Sequence, residues 1–247
     1  MKKVKSLIIL LALAFLVFNG ACERKITVYS IGDSTMSNYN EARTLRRGWG
    51  QMLPQFFDNR LRFENVAVAG RSSKSFIAEK RWEKVIADMR PGDYVIIQFG
   101  HNDSIKKDTT RYTEPWSSYS ENLKKFVTET RDKGGNPILA PSIVRHIFNG
   151  DTLDHALGEY PEAVRTVAAE LAVPLVDLNK KTRNLVNGLG QKESKKLFFY
   201  IEKGFSPLHP DGAADDTHLC EYGATEIAQL FVEGLREIDH PLADYVK

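Results

Sequence analysis

ITVYSIGDSTMSNY, residues 26–39, joins a short apolar segment to a Gly-Asp-Ser turn. Residues 26–31 are rich in Val and Ile and almost continuously apolar, which is typical of a strand covered on both faces. A serine on a tight turn at the carboxyl end of such a strand projects its hydroxyl into the crevice where parallel α/β folds bind ligands. Ser34 is therefore a candidate nucleophile, although most loop serines only cap a helix or fill a turn.

The same alternation continues along the chain. Further short apolar segments predict strands over residues 61–68, 94–99, 137–140 and 173–176. Amphipathic segments between and after them predict helices over residues 82–89, 119–133, 160–172 and 221–238. Strands that alternate with helices imply a parallel sheet with right-handed crossovers. We therefore predict an α/β protein, a single-domain three-layer α/β/α sandwich with a central parallel sheet of about five strands.

The first 21 residues differ from the rest. Three lysines at positions 2, 3 and 5 precede a nearly unbroken apolar run over residues 6–18, which ends in Asn19, Gly20 and Ala21. The run is shorter than the roughly 20 residues that a membrane span needs. A basic start, a short apolar run and small residues at its end predict a secretory signal peptide over residues 1–21, followed by one domain over residues 22–247.

Cys22 follows the predicted signal directly, where a bacterial lipoprotein carries its acylated cysteine. Asn19 stands where such signals usually have Leu, so two alternatives stay open: an unmodified cysteine after cleavage nearby, or a disulfide to Cys220. We favour the lipoprotein. The expected protein is exported and lies in the periplasm, on the outer membrane or outside the cell. Its only predicted membrane contact is a lipid on Cys22.

Charge and missing motifs exclude several functions. The chain has 34 basic and 32 acidic residues, and without the predicted signal it has 31 and 32, a balance of −1. No basic excess suggests nucleic-acid binding. The sequence has no HExxH, paired CxxC, Walker or GxGxxG motif, so we predict no metal and no cofactor. The GxSxG elbow of α/β-hydrolases is also missing.

Three more blocks accompany the Ser34 turn: NVAVAGRSS (65–73), FGHND (99–103) and DDTH (215–218). The first two end predicted strands, and the third precedes the last predicted helix. In this order the blocks resemble the SGNH (GDSL-like) hydrolase superfamily, which is named for its Ser, Gly, Asn and His. The resemblance spans almost all of residues 22–247 and implies a flavodoxin-like sandwich.

The resemblance implies a role for each matching residue. Ser34 would attack an ester carbonyl, His218 would take and return the proton, and Asp215 would orient the imidazole. The backbone N–H groups of Ser34 and Gly70 and the side-chain amide of Asn102 would form the oxyanion hole. Each residue also has a plain structural explanation, such as a turn glycine, a capping asparagine or an N-cap histidine. For the aspartate, Asp211 and Asp216 are close alternatives.

A narrower resemblance rests on GDSTMSNY (32–39), RRGWGQMLPQFF (46–57), FGHND and DDTHLCEYGA (215–224). These segments are similar to those of rhamnogalacturonan acetylesterases, which implies removal of acetyl groups from the pectic polymer rhamnogalacturonan. An acidic, ring-rich substrate points to aromatic and basic contacts. The candidate substrate-binding residues are Trp49, Arg71, His101, Arg145 and His146.

Two other functions stay open at this stage. The first is an esterase for another ester, such as acetylated xylan, an acetylated host glycan or a lipid. The second is a carbohydrate-binding protein that retains the fold without catalysis. A lipase would favour apolar residues after the serine, and residues 36–40 supply few. Binding alone needs no nucleophile–base pair, which argues against the second.

Overall fold

A computed structural model describes residues 24–247. The predicted signal peptide and Cys22 lie outside the described residues. Between residues 24 and 247, no helix is both long enough and apolar enough to cross a membrane.

The described chain alternates strands and helices. The strands are β1 (Ile26–Gly32), β2 (Arg46–Arg47), β3 (Leu61–Asn65), β4 (Tyr94–Gln98), β5 (Asn136–Leu139), β6 (Phe148–Asn149), β7 (Thr152–Leu153), β8 (Phe198–Ile201) and β9 (Ala213–Cys220). The α-helices are α1 (Trp49–Met52), α2 (Ser73–Ala78), α3 (Arg81–Asp88), α4 (Ser120–Asp132), α5 (Tyr160–Glu170), α6 (Leu178–Ser194) and α7 (Glu221–Glu237). Short 3-10 turns cover Leu53–Phe56, Lys195–Leu197 and Pro241–Tyr245, and a π-helical turn, Pro115–Tyr119, leads into α4.

Four strands form the central parallel sheet in the order β3-β1-β4-β5. Its two faces are covered by separate apolar clusters, and β1 contributes to both because alternate side chains point to opposite faces. Val28 lies in the cluster that includes α6 and α7, whereas Tyr29 and Ile31 lie in the cluster that includes α3, α4 and α5. The prediction of a single-domain α/β/α sandwich is confirmed.

The predicted fifth strand, residues 173–176, is reduced to one parallel bridge between Leu139 and Leu175. Leu139 N donates to Pro174 O and Val176 N donates to Leu139 O, each at 3.0 Å. Pro174 has no N–H to extend the ladder, so pairing stops after this single residue. The central sheet therefore has four strands rather than five.

A second, smaller sheet was not predicted. It pairs β2, β9 and β8 in antiparallel fashion, with a register shift at Phe198 and Phe199. The DDTH block (215–218) lies on β9. Asp215 pairs with Phe199 and Leu219 pairs with Phe198, so residues 216–218 lie at the register shift between these pairs.

Helix α7 starts directly after β9. Cys220 is its N-cap, and the sulfur accepts a hydrogen bond from Gly223 N at 3.5 Å while its thiol donates to Lys196 O at 3.0 Å. The alternative disulfide from Cys220 leads to Cys22, outside the described residues. Because β9 and α7 are continuous, packing of α7 against the central sheet also places the end of β9.

Candidate active site

Ser34 lies on a tightly hydrogen-bonded turn after β1. Asp33 Oδ1 accepts from Thr35 N at 2.9 Å and Thr35 Oγ1 at 2.8 Å. A Cβ on Gly32 would lie 2.6 Å from Gln98 O, so only glycine fits between β1 and β4. These contacts leave the Ser34 hydroxyl at the carboxyl end of the sheet, as predicted.

A buried polar chain supports this turn from the core. Trp49 Nε1 donates to Gln98 Oε1 at 2.7 Å, and Gln98 Nε2 donates to Thr35 Oγ1 at 2.8 Å. The Trp49 ring is fully buried and packs 5.2 Å from the Phe231 ring of α7. The prediction that Trp49 binds substrate is therefore wrong, because no face of the ring is available to a sugar.

Ser34, His218 and Asp215 form a continuous hydrogen-bonded chain. His218 Nδ1 lies 2.7 Å from Asp215 Oδ2, and His218 Nε2 lies 2.9 Å from Ser34 Oγ. A carboxylate only accepts hydrogen bonds, so Nδ1 carries the proton and Nε2 accepts from the serine hydroxyl. This arrangement places a basic nitrogen directly at the hydroxyl of the candidate nucleophile.

The Asp215 carboxylate is held by four donors. Besides the His218 ring, the backbone N–H groups of Thr217 and His218 each donate to Oδ1 at 3.0 Å, and Arg46 Nη2 donates to Oδ2 at 2.9 Å. Burial raises the pKa of Asp215, but the hydrogen bonds from His218 and Thr217 outweigh burial and hold its pKa well below its usual value. The carboxylate therefore stays ionised and fixes the tautomer of His218.

The neighbouring Asp216 occupies a different position. Its Oδ1 accepts from the Tyr200 hydroxyl and lies 3.4 Å from His146 Nδ1. The Asp215 side chain instead turns along its own strand, where it accepts from the N–H groups of Thr217 and His218 and contacts the His218 ring. Of the two adjacent aspartates, only Asp215 contacts the imidazole.

Arg111 links the two outlying oxyanion-hole candidates. Its Nη1 donates to Asn102 Oδ1 at 3.2 Å and approaches Gly70 O at 3.5 Å, while Asn102 Nδ2 donates to Arg71 O at 3.1 Å. Arginine only donates, so it fixes the orientation of the Asn102 amide. Gly70 has φ +79°, a left-handed conformation that favours glycine. The structure thus brings Gly70 and Asn102 together.

Asp103 ties the two loops to each other. Ser73 N and Oγ donate to its Oδ1 at 3.0 and 2.5 Å, and Thr113 Oγ1 donates to the same oxygen at 2.9 Å. The carboxyl is fully buried, and burial raises its pKa to about 7 against these hydrogen bonds, which lower it. Asp103 therefore stabilises the loop that follows Gly70 against the loop that carries Asn102.

The two histidines predicted to bind substrate are buried. His146 lies among Phe148, Phe198 and Tyr200, and its Nε2 lies 2.9 Å from Ser194 Oγ. His101 is only 2% exposed, and burial lowers its pKa well below the usual value, so its ring is neutral. Both predictions are wrong, because neither ring has surface for a sugar.

Arg145 and Arg71 lie closer to solvent. Arg145 is half-buried, and its Nη2 donates to His101 O at 3.1 Å. Arg71 is one-third exposed beside Gly70 and pairs with Glu79 at 3.1 Å. Their contacts with substrate stay predictions.

Sequence reasoning missed Arg46 and Arg111. Arg46 lies in the RRGWG segment, in which only Trp49 was predicted to contact a sugar. Arg46 reaches Asp215 because β2 pairs with β9. Arg111 lies in a loop with no motif. Neither was identifiable from spacing. Within residues 24–247, no group of three or more His, Cys, Asp or Glu side chains is placed to hold a metal ion.

A serine at the carboxyl edge of a parallel sheet, hydrogen-bonded to a histidine and through it to an aspartate, defines an arrangement suited to acyl transfer. The model of the GDSL-like lipase/acylhydrolase family matches residues 28–231. The chain belongs to this family and is a carboxylic ester hydrolase.

Two curated proteins with similar sequences are both rhamnogalacturonan acetylesterases. The chain is 38% identical to the rhamnogalacturonan acetylesterase RhgT of Bacillus subtilis (strain 168) over 225 residues, which cover 91% of this chain and 95% of that protein. It is 23% identical to the rhamnogalacturonan acetylesterase of Emericella nidulans over 231 residues, covering 85% of this chain and 84% of that protein.

Solved structures show the same fold. YxiM from Bacillus subtilis superposes with a TM-score of 0.75 at 24% identity; the match covers 87% of this chain and 57% of that one. A catalytic mutant of Axe2, an acetylxylan esterase from Geobacillus stearothermophilus, superposes with a TM-score of 0.60 at 20% identity, over 88% of this chain and 95% of that one.

Proposed function

We propose that this protein is a serine esterase that removes O-acetyl groups from a plant cell-wall polysaccharide, and that its substrate is rhamnogalacturonan. The observation that carries the mechanism is the hydrogen-bonded chain from Ser34 through His218 to Asp215. The substrate assignment draws support from the 38% identity to a rhamnogalacturonan acetylesterase over nearly the whole length of both chains.

In the first half of the reaction, Ser34 Oγ adds to the acetyl carbonyl carbon while its proton passes to His218 Nε2. The carbonyl oxygen becomes an oxyanion, which accepts hydrogen bonds from the Ser34 and Gly70 N–H groups and from Asn102 Nδ2. The C–O bond to the sugar then breaks. The sugar oxygen takes the proton from His218, and an acetyl group remains on Ser34.

In the second half, water attacks the acetyl-Ser34 carbonyl while His218 takes its proton. The second tetrahedral intermediate collapses, acetate leaves, and Ser34 recovers its hydrogen. Asp215 stays ionised throughout and stabilises the imidazolium in both halves. The low pKa of Asp215 suits this role, because a carboxylate that took up the proton would no longer hold the charged ring in place.

The test is acetate release from acetylated rhamnogalacturonan and from acetylated xylan by the wild type, Ser34→Ala and a control, Ser117→Ala. Ser117 is exposed and its hydroxyl donates to Glu114, away from Ser34 and His218, so the control should keep full activity. Ser34→Ala should lose roughly 10³-fold or more in kcat without a change in thermal stability.

Release from the pectic polymer alone supports the substrate assignment. Release from xylan alone, or from small acetate esters only, keeps the serine esterase and rejects the pectin assignment. Residual activity of Ser34→Ala near the wild-type value contradicts Ser34 as nucleophile. If none of the substrates is hydrolysed by the wild type, the protein is instead a binder of carbohydrate.

We also propose that the chain is exported and lipidated on Cys22. Support comes from the basic start, the short apolar run and the position of Cys22 in the sequence. Metabolic labelling with a fatty acid, followed by fractionation, should find the labelled protein in the membrane fraction, and Cys22→Ser should abolish the label. An unlabelled wild-type protein contradicts lipidation. Export would then be tested separately, by whether the predicted signal peptide is cleaved from the protein.

A further inference from the structure

A groove with a volume of about 730 Å³ lies away from Ser34, beside the amino-terminal half of β1. Thr27 and Tyr29 of β1 line it, and they precede Ser34 by seven and five residues. At roughly 3.3 Å per strand residue, the groove lies about 15–25 Å from the serine along the strand direction. Its volume is that of an ordinary ligand site, for which about 300–1,000 Å³ is typical.

The groove collects positive charge. Six basic residues line it, against the acidic residues Glu64 and Asp88, so the lining carries a formal charge of +4; the basic residues are Arg24, Lys25, Arg62, Arg81, Lys84 and Arg90. Residues 1–23 hold three lysines and one glutamate, so residues 24–247 carry 31 basic and 31 acidic side chains and are neutral overall. The positive charge is therefore a local feature of this surface.

Part of this charge is not neutralised by the fold. Arg24 pairs with Asp93, Arg62 with Glu64, and Arg81 with Glu79. Lys25, Lys84 and Arg90 are exposed and form no salt bridge with any residue between 24 and 247. These three available cations in one groove attract an anionic ligand that carries more than one charge.

Tyr29, Val66 and Val85 also line the groove, and Tyr29 and Val85 are buried. The surface offered to a ligand is therefore mainly that of the basic side chains. These match a chain of sugars that bear carboxylates, because guanidinium and ammonium groups bind carboxylates.

We propose that this groove is a second, non-catalytic binding site for an acidic polysaccharide segment, with uronate carboxylates on Lys84 and Arg90. The proposal rests on the proposed function, in that it assigns the same class of polymer to the groove and to the active site. Binding at the groove holds the enzyme on the polymer, which raises the local concentration of acetyl esters at Ser34. It affects KM for long polymers and leaves small esters unaffected.

The test uses a charge-reversal variant, Lys84→Glu/Arg90→Glu, and a matched control, Lys180→Glu/Lys192→Glu. The control cations are exposed on α6, across the sheet from α3, and neither forms a salt bridge within residues 24–247. Both double variants change the net charge by −4. Affinity electrophoresis in gels that contain polygalacturonate, with neutral dextran gels for reference, measures binding without catalysis.

The wild type and the control should be retarded by polygalacturonate and not by dextran, and retardation should weaken with added salt. The groove variant should bind at least fivefold more weakly, and all three proteins should hydrolyse a small acetate ester at the same rate. Equal retardation of the groove variant and the control overturns the proposal. The proposal is also overturned if polygalacturonate does not retard the wild type, or if the wild type binds only anionic lipid vesicles.

These outcomes are separate from the fate of the proposed function. Loss of polymer binding in the groove variant with no acetate release from any polymer by the wild type would retain the groove and reject the esterase assignment. Acetate release from rhamnogalacturonan by a wild type that does not bind polygalacturonate would retain the esterase assignment and reject the groove.

Discussion

Replacing Arg111 by methionine tests whether this residue orients the oxyanion hole. The change removes the donor that lies 3.2 Å from Asn102 Oδ1 and 3.5 Å from Gly70 O, and keeps most of the length of the side chain. Asn102 keeps its bond from Nδ2 to Arg71 O but loses the contact at Oδ1, so its amide is held by one of these two hydrogen bonds instead of both.

The size of the effect follows from these contacts. Removing an oxyanion-hole donor outright costs about 2.7–4 kcal/mol, and a hydrogen bond to a charged group contributes about 1.5–3 kcal/mol. Arg111 acts one step away from the oxyanion, and its side chain is 32% exposed. We therefore expect a loss of about 1.5–2.7 kcal/mol, which corresponds to a roughly 10–100-fold fall in kcat with little change in KM.

The assay is steady-state hydrolysis of a small acetate ester by Arg111→Met, Arg111→Lys, Asn102→Ala and the double variant Asn102→Ala/Arg111→Met. Arg60→Met is a matched control, because Arg60 also pairs with a nearby aspartate, Asp58, but contacts Asp244 O at the surface rather than Asn102. Arg111→Lys should recover part of the rate. In the Asn102→Ala background, loss of Arg111 should have only a small further effect, because the amide through which Arg111 acts has already been removed.

Two results would refute this reasoning. One is a kcat for Arg111→Met within twofold of the wild type at equal thermal stability. The other is full additivity in the double variant, since independent effects would mean that Arg111 does not act through Asn102.

Two further predictions concern aspartates. Asp215→Asn should lower kcat by roughly 10²–10⁴-fold, because the amide no longer fixes the His218 tautomer, whereas Asp216→Asn should stay within a few-fold of wild type; equal losses in the two variants contradict the assignment. Asp103, with its pKa raised to about 7, binds a proton more tightly folded than unfolded, so its ionisation costs stability between about pH 4 and pH 7. Relative to Asp103→Asn, the wild type should lose on the order of 2–4 kcal/mol of unfolding free energy as pH rises through this range, as measured by denaturant titration; a difference that does not change with pH rules out the raised pKa.

The catalytic candidates were predictable from sequence because they come from short motifs at element ends. Ser34, Gly70 and Asn102 each follow a predicted strand, and parallel strands bring such ends to one edge. Asp215 and His218 were identified through the resemblance of the DDTH block to the SGNH family, although the strand that carries them was not predicted. Its residues Asp215, Asp216 and Thr217 lack the apolar alternation by which strands are recognised.

The predictions of Trp49 and His146 as substrate-binding residues were wrong for a different reason. Trp49 and His146 are residue types found both on sugar-binding surfaces and in satisfied cores, and only the three-dimensional packing separates the two cases. Trp49 donates to Gln98, and His146 lies near Ser194, both distant in sequence. Arg111 shows the converse, since a loop arginine acquires its position from Asn102 and Gly70, which no spacing rule connects to it.

The hydrogen bond between His218 and Ser34 joins residues 184 positions apart, and His218 belongs to the small sheet rather than to the central one. A nascent chain that has completed β1, β3, β4 and β5 contains the nucleophile but not yet the base. Hydrolytic competence therefore requires the last part of the chain, because His218 lies on β9 and α7 packs against Trp49. The contact that starts the chemistry is also among the longest-range contacts to form, and such contacts form slowly in folding.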